Sequence, residues 1–253
     1  MIIKAPQAAD ISALRGLWKD TFCDTDAFLD AFFSTAFSSE RALCAVIDGT
    51  MAGMLYWFDC SCEGNKIAYL YAVATHKDYR GRGVCSALME KAHRCLQEQG
   101  YVGVLLVPAD AHLFDFYARM GYRTSVYHRI LCCAAGNEGI ALRSISATEY
   151  AALRRQFLPS QSVLQERENL AFLQTVVQFW EADGCLLATR SEGDTLLAPE
   201  LLGDVKQAPR IVRALGFAKG EFHTFGGDTP FAMYRSVAEP LTLAPAYFAF
   251  AFD

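Results

Sequence analysis

Apolar residues along the chain switch between strand and helix periods, and the switches predict most of its elements. A short apolar run at 2–4 predicts a strand, and helical spacing follows over 8–20 and 26–36. Ala42–Ile47 and Met51–Phe58 flank Asp48-Gly49, the pattern of a β-hairpin. A strand at 67–74 leads to a helix at 83–98, whose apolar stripe is Val84, Leu88, Ala92 and Cys95 and whose stop is Gly100. A strand at 102–107, a helix at 111–119 stopped by Gly121, and a strand at about 123–132 follow. Strand–helix crossovers occur only in the later part, which implies an α/β fold with a mixed sheet flanked by helices. The polar segment AAGNEG at 134–139 reads as a linker, and Tyr247–Asp253 as an apolar C-terminal strand.

Two echoes suggest that the second half repeats the first in shortened form. Residues 3–15 (IKAPQAADISALR) and 142–154 (LRSISATEYAALR) match at an offset of 139, each a strand, a turn and a helix with an acid near its start. Gly121-Tyr122 before Tyr127-His128 matches Gly216-Phe217 before Phe222-His223 at an offset of 95.

Composition narrows the function. The net charge is −5, from 23 basic and 28 acidic residues, with no block of like charge that would suit a nucleic-acid partner. No apolar stretch approaches the ~20 residues of a membrane span. The N-terminus, MIIKAPQAAD, has no leader-like apolar run, so the expected compartment is cytoplasmic. Nine cysteines are then expected as reduced thiols. Cys60-x-Cys62 and Cys132-Cys133 lack the spacing of zinc-ligand pairs, and no metal is expected. The high apolar content leaves room for a homodimer.

Candidate chemistry concentrates after the strand at 67–74, where Arg80-Gly-Arg-Gly-Val-Cys-Ser86 opens a helix. The first N–H groups of a helix have no helical partner, and its dipole favours negative charge there. Gly81 and Gly83 let an anion approach the backbone, and Arg80 and Arg82 add charge suited to a diphosphate. A Walker A loop is excluded, because neither its lysine nor its spacing is present. A dinucleotide fingerprint, and with it an oxidoreductase, is disfavoured by Ser86 at the third glycine position. For the turn alone, an ordinary helix start with surface arginines is the bland alternative.

Arg80-Gly-Arg-Gly83-Val-Cys85 resembles the Arg/Gln-x-x-Gly-x-Gly/Ala turn of the GNAT (GCN5-related N-acetyltransferase) superfamily, with Cys85 where the family has glycine or alanine. Phe116-Tyr117 followed by Gly121-Tyr122 resembles a second GNAT signature, and Asp110 or a neighbour stands where many members carry asparagine. The Val-Ala-Thr-His-Lys-Asp-Tyr-Arg and Val-Pro-Ala segments look most like the enhanced-intracellular-survival branch. The resemblance implies a GNAT fold with a mostly antiparallel sheet and an acetyl-CoA-binding catalytic domain over residues 1–133. Residues 140–253 would be a degenerate GNAT-like domain without the pyrophosphate loop.

The activity implied is N-acetyltransfer from acetyl-CoA, as cosubstrate, to a primary amine by direct attack. A catalytically silent acyl-CoA-binding module is the alternative. The implied cosubstrate contacts are Val73, Ala74 and Thr75 at a bulged strand edge, with the Val73 N–H polarising the thioester, and Arg80, Gly81, Arg82, Gly83, Val84, Cys85 and Ser86 at the turn. Tyr117 registers with the family's proton donor to the leaving thiolate; a phenol and a thiolate have similar basicity. A place among core aromatics is the competing reading. No general base stands out among His76, Glu63, Asp24, Asp26 and Asp253. Asp24 and Phe28 are candidates for the acceptor side, and helical spacing favours core positions for Phe32 and Phe33.

Overall fold

A computed structural model describes residues 1–238 and 243–251. Asp253, and with it the end of the expected C-terminal strand, lies outside the described residues. In chain order the elements begin with β1 (Ile2–Lys4), α1 (Ile11–Phe22), α2 (Asp26–Thr35), β2 (Ala42–Ile47), β3 (Thr50–Cys62) and β4 (Asn65–Thr75). They continue with α3 (Val84–Glu98), β5 (Gly103–Leu106), α4 (Ala111–Ala118), β6 (Arg123–Ala134), β7 (Arg143–Ile145), α5 (Ala147–Phe157) and β8 (Val163–Gln165). The remainder are α6 (Glu168–Leu173), β9 (Gln178–Ala182), β10 (Cys185–Glu192), β11 (Thr195–Gly203), α7 (Ala208–Ala214), β12 (Lys219–Phe225) and β13 (Thr229–Ser236).

The hairpin strand expected to end at Phe58 runs on to Cys62. Glu63 and Gly64, both at positive φ, close a tight turn there and pair Cys62 with Asn65. At the other end of the sequence, only a bridge between Ser162 and Tyr247 replaces the expected strand among the described residues.

The chain packs as two compact units, Met1–Arg123 with Met233–Leu243, and Thr124–Ala232 with Ala244–Asp253. The division therefore does not fall at 134–139. Strand pairing is the reason: Met233–Ser236 of β13 pair with Leu106–Gly103 of β5, while β6 pairs with β12.

In the first unit the strand order is β1-β2-β3-β4-β5-β13, antiparallel except where β4 runs parallel to β5. β3 is buried on both faces, so its residues divide by alternation. Leu55 and Trp57 pack with Leu88, Met89, Ala92 and Leu96 of α3. Tyr56 meets the wholly buried Trp18 of α1, with ring centroids 5.3 Å apart, and Trp18 lies 4.7 Å from Phe32 of α2.

In the second unit the order is β6-β12-β11-β10-β9-β7, antiparallel except where β11 runs parallel to β12. The series β7, β9, β10, β11, α7, β12 thus repeats β1, β2, β3, β4, α3, β5. The echo at offset 139 joins equivalent pieces, β1–α1 and β7–α5. The echo at offset 95 does not, because β6 and β12 are antiparallel neighbours, with His128 opposite Phe225. The structural counterpart of Gly216-Phe217 is Gly100-Tyr101, between the helix and the second parallel strand. Gly100 and Gly216 both sit near φ 80 and close their helices alike, Tyr101 N–H on Leu96 O at 3.0 Å and Phe217 N–H on Val212 O at 3.1 Å. Gly121-Tyr122 closes α4 the same way, on Tyr117 O, and this shared form of cap accounts for its likeness to Gly216-Phe217.

Candidate functional site

The site begins with a defect in β4. Met54 pairs with Ala74 and Tyr56 with Tyr71, so Ala72 and Val73 together oppose the single residue Leu55. This is a β-bulge, and Ala72 takes a left-handed conformation at φ 48 to make it. The parallel pairing with β5 ends just before it, at Leu70 with Leu106. Beyond that point β4 continues to Thr75 without β5, and the sheet opens.

The loop after β4 turns through His76, whose Nδ1 accepts from the Asp78 N–H at 3.3 Å. Arg80 donates from Nε to the Thr75 carbonyl at 3.2 Å, fastening the turn to the strand end. Gly81 (φ 72) and Gly83 (φ 77) are left-handed, and a Cβ added at either would meet nothing within 4 Å. Conformation, not crowding, thus calls for glycine here, and the space before the backbone is open. Gly83 is also the N-cap of the 15-residue α3, so no capping side chain covers the first N–H groups of that helix.

One cavity of about 500 Å³ collects these pieces. Its walls are Val73, Ala74 and Thr75 of the bulged strand, Arg80, Gly81, Gly83, Val84, Cys85 and Ser86 of the turn, and Tyr117 of α4. Of the expected cosubstrate contacts only Arg82 is not among them; its guanidinium lies 5.4 Å from the Tyr79 ring centroid. Burial pushes the Cys85 thiol up to about 11, so this departure from the family pattern adds no negative charge to the helix start.

Tyr117 is largely buried, with its ring edge-on to Phe116 at 5.2 Å and to Tyr122 at 5.9 Å. Behind it the Tyr122 hydroxyl lies 2.7 Å from His93 Nε2. Burial, assisted by the Arg235 charge, lowers His93 to about 4, so the imidazole is neutral. Burial likewise raises the Tyr122 phenol well above its ordinary value. Both groups act as a fixed, uncharged support for the wall that carries Tyr117.

Asp24 and Phe28 are not among the residues lining this cavity. Asp24 instead accepts from the Trp18 indole at 2.8 Å, and the Phe28 ring packs on Trp18. Asp26 pairs with Lys19 at 2.9 Å. Glu63 lies in the turn before β4, at the end of the strand away from the bulge.

A family model described as an acetyltransferase (GNAT) domain matches residues 3–125. Residues 3–125 are thus similar to a GNAT acetyltransferase domain. Solved structures share its fold over nearly all of the chain. A GCN5-related N-acetyltransferase from Kribbella flavida matches with a TM-score of 0.70 at 15% identity, over 93% of this chain and 72% of that one. Eis1 from Mycobacterium abscessus matches with a TM-score of 0.67 at 14% identity, over 94% and 74%. A putative acetyltransferase from Pyrococcus horikoshii matches with a TM-score of 0.64 at 14% identity, over 99% and 94%. The likeness expected to the enhanced-intracellular-survival branch is thus met in the fold. No curated protein matches the sequence.

The same cavity also contains Thr21, Tyr79, His112, Leu113 and Phe116. Leu113 and Phe116 were within reach of sequence reasoning, standing just before Tyr117 on the same helix. Thr21 comes from α1, and nothing local announces it.

Among the described residues no group of three or more side chains could hold a metal ion, and no helix is long and apolar enough to cross a membrane. All nine cysteines are free thiols.

Proposed function

We propose that the first unit binds acetyl-CoA and transfers its acetyl group to a primary amine by direct attack. The observation that carries this reading is the shared cavity: a bulged strand end, a helix start with two left-handed glycines and no capping side chain, and a buried tyrosine all border it. The Gly81–Ser86 backbone and the Arg80 charge receive the pyrophosphate. The splay between β4 and β5 admits the pantetheine arm alongside Val73–Thr75. The Val73 N–H donates to the thioester carbonyl oxygen and supports the charge that develops there. Tyr117 gives its proton to the departing thiolate. The second unit takes no part in holding the cosubstrate. At its equivalent helix start the Asp204 carboxylate accepts from the Lys206 N–H at 3.1 Å, and Pro209 stands in the first turn of α7.

Calorimetry with CoA and thiol release across a panel of amines test this reading. Wild-type protein is expected to bind CoA and to release thiol with at least one primary amine. The Arg80→Ala, Gly83→Val double variant is expected to lose roughly a hundredfold or more in CoA affinity while melting as a folded protein. Unchanged affinity in that variant overturns the cradle. Binding without turnover on every amine leaves the acyl-CoA-binding module in place of the enzyme.

A further inference from the structure

The C-terminal segment Ala244–Ala251 is held in the second unit almost without regular structure, yet Tyr247, Phe248, Ala249 and Phe250 are all buried. Its backbone is fastened by individual bonds. The Ala246 N–H donates to Gln161 O at 2.9 Å, and the Val163 N–H donates to Tyr247 O at 2.8 Å. The Gln165 amide both donates to Phe250 O at 2.9 Å and accepts from Phe250 N–H at 3.3 Å. Between these fastenings a histidine takes the next carbonyl: His128 Nε2 lies 2.7 Å from Phe248 O.

That histidine is the inner end of a chain leading outward. His128 Nδ1 lies 3.4 Å from His223 Nδ1, and His223 Nε2 lies 3.0 Å from the Glu221 carboxylate. A carbonyl and a carboxylate only accept hydrogen bonds, so the two outer nitrogens must both carry hydrogen. The link between the rings needs one hydrogen more. Complete bonding therefore asks for one N–H beyond what two neutral imidazoles supply. We propose that His128, His223 and Glu221 form a proton-dependent clasp on the C-terminal segment, complete only when the cluster holds one proton beyond those of two neutral histidines.

The extra proton has a place. His128 is buried against Phe231, its ring stacked at 3.8 Å, and burial holds it down to about 4, so it is neutral with its hydrogen on Nε2. The proton therefore resides on the His223–Glu221 side. Glu221 borders a recess of about 560 Å³, through which solvent reaches the cluster. Glu192 and Lys219 line the same recess, as does Cys132, whose sulfur is 3.9 Å from the Glu221 carboxylate. On the inner side the groups facing the clasp are Glu200 of β11, whose charge acts on His128, and Tyr247 of the segment itself, whose ring lies 6.0 Å from the His128 ring.

When the proton leaves, one of the bonds is lost. The bond to the Glu221 carboxylate is charge-assisted and keeps the single His223 hydrogen on Nε2. His223 then presents a lone pair to His128, whose one hydrogen must serve either His223 or the Phe248 carbonyl. The weakening thus falls where Phe248 is held. The clasp is closed at lower pH and opens as pH rises through the loss of this proton.

Imidazole ¹⁵N spectroscopy and amide hydrogen exchange of residues 244–251, both followed against pH on the full chain, test this. After correction for intrinsic exchange, wild-type protection of the segment is expected to fall about tenfold, the equivalent of one hydrogen bond, in step with the imidazole signals of the cluster. Glu221→Gln supplies the third N–H from its own amide, so its segment is expected to stay protected across the same pH range. Identical pH profiles in wild type and Glu221→Gln overturn the clasp. So does a wild-type spectrum at low pH with the His128 hydrogen on Nδ1, a result that does not depend on how well the variant folds.

Discussion

Pro199 stands in β11 where Val73 stands in β4. Ala188 pairs with Glu200 and Arg190 with Leu197, so Ala198 and Pro199 oppose the single residue Thr189, as Ala72 and Val73 oppose Leu55. The two bulges have diverged. Proline has no N–H to donate. The parallel pairing in the second unit also runs on through Ala198 with Phe222, so its sheet does not open before the bulge. Val73→Pro should therefore give the first unit the defect of the second. A kcat lower by about a hundredfold or more is expected, the scale of one lost oxyanion donor, with CoA affinity within a fewfold of wild type. Steady-state kinetics beside calorimetry check both quantities.

Tyr117→Phe separates a proton donor from a core aromatic. The ring keeps its contacts with Phe116 and Tyr122, so the melting temperature should hold. If the hydroxyl protonates the thiolate, kcat falls by about a hundredfold or more while CoA affinity stays within a fewfold. A variant with wild-type turnover returns Tyr117 to the core.

The parts of the site written in contiguous sequence were legible in it. The turn from Arg80 to Ser86 and the helix carrying Tyr117 are local structures, set by glycine conformation and helical spacing. What no local pattern marks depends on pairing between distant segments. The bulge at Ala72-Val73, expected at this strand edge only through the family resemblance, is a matter of register against Met54–Tyr56, and no residue type marks it. The pairing of Met233–Ser236 with β5 joins residues far apart in the chain, beyond the reach of any periodicity. Asp24 and Phe28, expected on the acceptor side from their position in the chain, both engage the Trp18 indole, a contact that no local pattern announces.

Glu200 is wholly buried and accepts a two-pronged bond from Arg154, at 2.7 and 2.8 Å, with the hydroxyls of Tyr150 and Tyr247 as further donors. Removing the carboxylate strands the Arg154 guanidinium in the core. Glu200→Leu should cost about 3–5 kcal/mol of stability, whereas adding Arg154→Leu should recover much of the loss. Urea denaturation of the two single variants and the double variant gives the coupling. Near-additive losses would show that the pair is not a unit.

His93 adds a pH dependence of definite sign. Its ordinary value of 6.5 falls to about 4 in the folded protein, through burial first and the Arg235 charge second. The unfolded chain then binds a proton between those values that the folded one refuses. Stability from this group is full above about pH 6.5 and declines as pH falls toward 4. The two values differ by enough for His93 alone to remove about 3 kcal/mol across that window. His93→Gln keeps a partner for the Tyr122 hydroxyl but does not titrate, so its stability should fall less steeply over the same range. His128 is depressed to about 4 as well and contributes with the same sign in both proteins. The difference between the two denaturation series therefore isolates His93, and equal slopes would mean that its proton is bound in the folded state.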